Sequence, residues 1–91
     1  MSFINIGYGN IINSDRIVAM VSPDSAPSKR LMQNAKENGK VVDASQGRKT
    51  RTFIVTDTGH LVLSALQPDT IAGRIEYPNE TFNRGEEDGT K

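Results

Sequence analysis

Two β-branched, apolar runs meet across a three-residue break. "TRTFIVTD", Thr50 to Asp57, is followed through Asp57-Thr58-Gly59 by "HLVLSAL", His60 to Leu66. This pattern constrains the fold more than any other in the chain. Gly59 suits a tight reversal and each flanking run is strand length, so the stretch predicts a β-hairpin. Alternation along "RTFIVT" sends Phe53 and Val55 to one face and Thr52, Ile54 and Thr56 to the other.

The remaining elements follow from local signals. "FINIG" is expected to form a short strand closed by glycine. "YGN" then makes a turn, with Gly9 or Asn10 at positive φ. "RIVAMVS" reads as a second strand, pairing with the first as a hairpin whose connection lies between Gly9 and Asp15. In "SPDSAPSKRLMQNAKENGK", Ser25 is the N-cap, Pro27 sits in the first turn and Gly39 closes a helix predicted over residues 25–38. Leu31, Met32 and Ala35 are expected to line its inner face. "VVDAS" is a further strand. "QPDTIAGRIEY" reads as a second helix starting at Pro68, with Ile71, Ala72 and Ile75 inward. The expected order is ββαβββα, an α/β single domain over residues 1–77 with a mixed or antiparallel sheet. Residues 78–91 lack apolar periodicity and are expected to form an acidic, disordered tail.

Composition sharpens this picture. Only 35% of the 91 residues are hydrophobic and 5% aromatic, so the core is thin, and self-association is the expected remedy. Cysteine is absent, which excludes disulfides and thiolate metal sites. No run approaches about 18 apolar residues, so no membrane span is expected. "MSFINIGYGN" lacks a basic lead and a sustained apolar core, so it is not expected to be a signal peptide, and the cytoplasm is the expected compartment.

Catalytic sets are hard to assemble from these residues. His60 is the only histidine and follows a turn glycine, a structural position. Asp15, Asp24, Asp43, Asp57 and Asp69 each fall near a turn or cap, where Asp serves the backbone. "GYGN" carries half of a dinucleotide fingerprint, with Ile12 in place of its third glycine, and reads as a turn. No enzymatic activity, small-molecule substrate, cofactor or metal is expected.

Charge points elsewhere. Formal net charge is zero, yet residues 1–75 carry nine Lys/Arg against six Asp/Glu, and residues 76–91 carry two against five. Three cations, Arg48, Lys49 and Arg51, crowd into four positions after Gly47. Such residues can simply protect a strand edge from aggregation. As the start of a strand, however, the segment would place Lys49 and Arg51 on one face, about 7 Å apart. Successive phosphates on one nucleic-acid strand are similarly spaced, and Thr50 and Thr52 would add hydroxyl donors. Arg can also address guanine edges. Double-stranded DNA is the expected partner, with an acidic protein docking on the same loop as the alternative.

The stretches "FINIGYGNII", "SDRIVAMVSPDSAPSKRLMQNAKENGKVVDAS", "GRKTRTFIV" and "HLVLSALQPDTIAGRI" resemble the RemA family of extracellular-matrix regulatory proteins, nearly collinearly from Phe3 to about Ile75. The resemblance implies a nucleoid-associated, DNA-binding activator of biofilm-matrix and osmoprotection genes. It further implies a LytTR-like subunit and an octameric ring. The family's DNA-contacting arginines correspond to Arg16, Arg48 and Arg51. Lys49 stands where the family usually has another Arg, keeping the charge but losing the bidentate fork. Pro27 corresponds to a family position at which function is sensitive. The family reading thus gives Arg16, Arg48, Lys49 and Arg51 as the DNA-binding set.

Overall fold

A computed structural model describes residues 2–76, so the predicted acidic tail, 78–91, lies outside the described residues. The elements are β1 (Phe3–Gly7), β2 (Asn10–Asn13), a 3-10 turn (Ser14–Arg16), β3 (Ile17–Val21), α1 (Ala26–Glu37), β4 (Val41–Asp43), β5 (Thr52–Thr56), β6 (Leu61–Ser64) and α2 (Pro68–Glu76). They form a small α/β domain of three layers.

The middle layer is a mixed four-stranded sheet in the order β3-β5-β6-β4, with β5 antiparallel to β3 and β6, and β4 parallel to β6. The hairpin predicted at Asp57–Gly59 is its centre. Each face of the sheet carries its own apolar cluster, as the alternation in β5 requires. Phe53, Leu61 and Leu63 pack with Ala35, and Met32 and Val55 lie against them. On the other face Ile54 and Val62 pack with Ile4, Ile6, Leu66 and Ile71. Helix α1 therefore covers one face, and the β1–β2 ribbon with α2 covers the other. Ile54 and Ile71 are wholly buried, so truncating either to Ala is expected to cost about 2–5 kcal/mol.

Helix α1 begins and ends as its sequence dictates. Ser25 Oγ accepts the Ser28 N–H at 3.2 Å, and Pro27 lies in the first turn. At the other end Lys40 N–H donates to Ala35 O and Gly39 N–H to Lys36 O, with Gly39 at φ +67°. This is a Schellman closure. Ala35 is buried and Met32 half-buried, but Leu31 is exposed. Ser28 takes a buried place instead, its hydroxyl donating to Ser22 O.

Besides Leu31, three further expectations about packing are corrected. First, β1 does not pair with "RIVAMVS". It pairs with Asn10–Asn13, an additional strand, while β3 joins β5 in the other sheet. The turn at Gly7-Tyr8-Gly9 has positive φ at all three residues, so the chain reverses at once instead of running on to Asp15. Gly7 combines φ +108° with Leu66 Cγ only 3.2 Å from where a Cβ would stand. Second, the inward face of α2 is Ile71 and Arg74, whereas Ala72 and Ile75 are exposed. Arg74 is 5% exposed and its Nη1 donates to Asn5 O at 2.9 Å, fastening α2 to β1. Third, Thr52 is fully buried and its hydroxyl donates to Leu66 O at 2.7 Å, so it is no donor to an outside ligand.

Candidate nucleic-acid interface

The segment Ala44–Arg51 leaves β4 on one side of β6 and enters β5 on the other, bridging the C-terminal end of the central strand. Backbone bonds fix both of its ends to β6. Ala44 N–H donates to Leu63 O at 2.9 Å, and Arg51 N–H to Ser64 O at 2.8 Å. Asp43 orders the departure from β4, its Oδ1 accepting the Ser45 N–H at 2.9 Å and the Ser45 hydroxyl at 2.6 Å. Those two donors hold the Asp43 carboxyl below the usual carboxylate range. A turn then forms, with Arg48 N–H on Ser45 O and positive φ at Gln46 and Gly47.

Arg48, Lys49 and Arg51 project from this bridge, all exposed, with Thr50 half-buried between them. Among the described residues none of the three cations has an ion-pair partner. The Arg48 guanidinium carbon lies 5.3 Å from the centroid of the Tyr8 ring. The β1–β2 turn is thereby drawn against the bridge, and Asn10 Nδ2 reinforces the contact by donating to Ala44 O at 3.3 Å. Residues 48–51 precede the strand, which starts at Thr52. The alternation argument for Lys49 and Arg51 therefore does not apply: loop geometry sets their directions.

Arg16 stands elsewhere. It ends the 3-10 turn before β3, next to the C-terminal end of β5, where Asp57 N–H donates to Arg16 O. The extended path along β5 from Arg51 to Asp57 is about 20 Å. Within the chain, then, the structure brings together Arg48, Lys49 and Arg51 but not Arg16. The Arg16 Nη1 also donates to Asp57 Oδ2 at 2.8 Å, and this carboxylate raises the guanidinium pKa further above its ordinary value. His60 sits beside that pair in the β5–β6 turn, half-buried, with Nδ1 2.7 Å from Thr58 Oγ1. It serves the turn. Among the described residues no group of His, Asp and Glu is arranged to hold a metal ion, and no helix is long and apolar enough to cross a membrane.

Sequence reasoning missed Tyr8 and Asn10. Both were read only as turn residues, because their contacts to Arg48 and Ala44 span tens of residues. The one local signal was an aromatic residue placed between two glycines.

The chain matches the RemA-like family, described as extracellular matrix regulatory protein A-like, over residues 3–75. A provisionally named regulatory protein of Geobacillus thermodenitrificans is 54% identical over 83 residues, 91% of this chain and 94% of the relative. Another from Fervidobacterium nodosum is 59% identical over 72 residues, 79% of this chain and 77% of its own length. A third, from Clostridium botulinum, is 49% identical over 89 residues, 96% of this chain and 98% of the relative. The chain belongs to the RemA-like family.

Proposed function

We propose that this RemA-like protein is a regulator that binds double-stranded DNA through the Arg48–Arg51 bridge, without catalysing a reaction. One observation carries the reading: three exposed cations, without ion-pair partners among the described residues, project from a loop whose two ends are fixed to the central strand. Positive charge held in place on a buried scaffold suits a phosphate backbone, because ordering the loop on binding costs little. Lys49 serves as a point charge for phosphate, and the two arginines can make forked contacts.

One subunit offers a small footprint, so the binding unit is an assembly that repeats it. The family suggests an octameric ring of LytTR-like subunits, and the surface supports self-association. Phe3 and Ile11 are exposed, on the outward face of the β1–β2 ribbon, and Val18 is 66% exposed at a register shift on the edge strand β3. Such apolar groups, on a domain with so thin a core, favour a second copy as cover. Assembly would also allow Arg16 of one copy to join a DNA path begun at the bridge of another. The family description supports a part in regulating the extracellular matrix, and we extend this, on the family resemblance alone, to activation of matrix and osmoprotection genes by a nucleoid-associated, cytoplasmic protein.

The test is a titration of the assembled protein against duplexes of increasing length at two salt concentrations. Binding should weaken steeply with salt as counterions are released. Affinity should climb with duplex length as further subunits engage, with avidity gains of ~10²–10⁴. Flexible sequences should do better than stiff A-tracts. Absence of binding at low salt overturns the DNA reading. Equal affinity for short and long duplexes, after correction for overlapping sites, overturns the repeated-site mechanism.

A further inference from the structure

Among the described residues two non-glycine residues have positive φ, Tyr8 at +56° and Gln46 at +57°. They lie in different turns, 38 positions apart, and those two turns touch. Tyr8 occupies the β1–β2 turn, and Gln46 the turn that launches Arg48. Asn10 Nδ2 ties them together, donating to Gly7 O at 3.0 Å and to Ala44 O at 3.3 Å. The Arg48 guanidinium lies over the Tyr8 ring.

Left-handed backbone disfavours a bulky aromatic residue, and Gly or Asn would serve this turn better. An unfavourable backbone state persists only where the surroundings enforce it, and such states gather at binding sites. Here the aromatic ring is what distinguishes Tyr8 from a residue better suited to the turn. A ring face attracts a cation and limits the directions an Arg fork can take. A guanidinium held over a ring face still has N–H groups to offer a pair of acceptor oxygens. Arg51 is restrained differently, through its own backbone bond to Ser64 O.

We infer that Tyr8 is a positioning residue for Arg48: its ring holds the guanidinium plane so that the N–H edge meets phosphate oxygens of bound DNA. The inference rests on the DNA-binding reading above. It adds a role for a residue of the "GYGN" turn, whose Asn10 already ties that turn to Ala44.

The experiment compares the assembled full chain with Tyr8→Phe, Tyr8→Asn, Tyr8→Gly, Arg48→Ala and the double variant Tyr8→Asn/Arg48→Ala. Affinity for one labelled duplex is measured at fixed salt, beside thermal melting. Tyr8→Phe keeps the ring and should bind within about twofold of the unchanged protein, whereas Tyr8→Asn and Tyr8→Gly should bind about fivefold more weakly or worse. Both ring-free variants suit left-handed backbone, so their melting temperatures should stay level or rise. The double variant should bind no worse than Arg48→Ala alone, because the ring acts through Arg48. Undiminished binding by Tyr8→Asn and Tyr8→Gly overturns the inference. So do equal losses in Tyr8→Phe and Tyr8→Asn, or losses that multiply in the double variant. If the unchanged protein fails to bind duplex at all, the DNA reading fails and this inference with it. Binding that persists without the ring removes the inference alone.

Discussion

The two ends of the four-stranded sheet carry similar groups in opposite states. At the end formed by the C-terminus of β6, Arg48, Lys49 and Arg51 are exposed and meet no carboxylate among the described residues. At the other end Arg16 is comparably exposed, with its side chain 62% accessible, but Asp57 engages it at 2.8 Å. Such a surface pair adds little to stability. Its effect is to offset the local charge. Residue type alone treats the arginines at the two ends alike, whereas the geometry leaves one end open to an anion and the other already occupied.

The sharpest way to break this contrast is charge reversal at the open end. On the proposed repeated-site mechanism, Lys49→Glu should weaken DNA binding by about 100-fold or more, because all copies would lose their attraction together. Arg51→Ala should follow, with a loss of about tenfold or more. Gel filtration and melting should be unchanged for both, since each side chain is exposed and the Arg51 anchor is a backbone bond. A variant that falls apart would make its residue a structural partner.

Arg16 should matter less. Arg16→Ala is expected to reduce affinity about threefold, and Asp57→Asn, which releases the guanidinium, should raise it by a similar factor. The salt dependence of binding should steepen in Asp57→Asn if Arg16 then reaches phosphate. Equal losses in Arg16→Ala and Arg51→Ala would abolish the contrast between the two ends.

Two threonines sharpen it further. Thr52→Val leaves Leu66 O without its buried donor and should cost about 1–2 kcal/mol in chemical denaturation. Thr50→Val, at a half-buried loop position, should leave stability within about 0.5 kcal/mol. The smallest effect concerns Asp43. Its folded pKa is lowered by the Ser45 donors, so its stabilisation is present above the unfolded value of about 3.9 and is lost as pH falls through the lower folded value. Melting should therefore be insensitive to this group from pH 5 to 8, and Asp43→Ala should lower the melting temperature there by about 2 °C. A marked Asp43-dependent transition near neutral pH would show a different partner for that carboxylate.

How far the sequence could be read follows from the range of each interaction. Helix α1 was legible almost to the residue, because Ser25, Pro27 and Gly39 act within their own turns. The β5–β6 hairpin was legible for the same reason. Strand β2 was not: "NIIN" offers two apolar residues between asparagines, and its pairing depends on the reversal at Gly7-Tyr8-Gly9. Nor could local pattern show that β3 would choose β5 over β1. Nor could it show Arg74 buried, because the Asn5 O that its Nη1 meets is 69 positions away. The basic cluster was legible as a cluster, while its loop conformation, its separation from Arg16 and the Tyr8 contact were not. All three depend on which strands lie side by side.

The double attachment of the basic bridge to β6 has a kinetic consequence. All four residues of β6 are buried, and opening this strand requires both sheet faces to separate from it. The amides of Ala44 and Arg51, bonded to Leu63 O and Ser64 O, should therefore exchange with solvent deuterium only through near-global opening. Lys49 and Thr50, between those anchors and outside the strand ladder, should exchange orders of magnitude faster. A few ångströms of chain would then hold some of the slowest and some of the fastest amides in the protein. Side chains there can adapt to an irregular duplex within nanoseconds, while the platform beneath them persists as long as the fold itself.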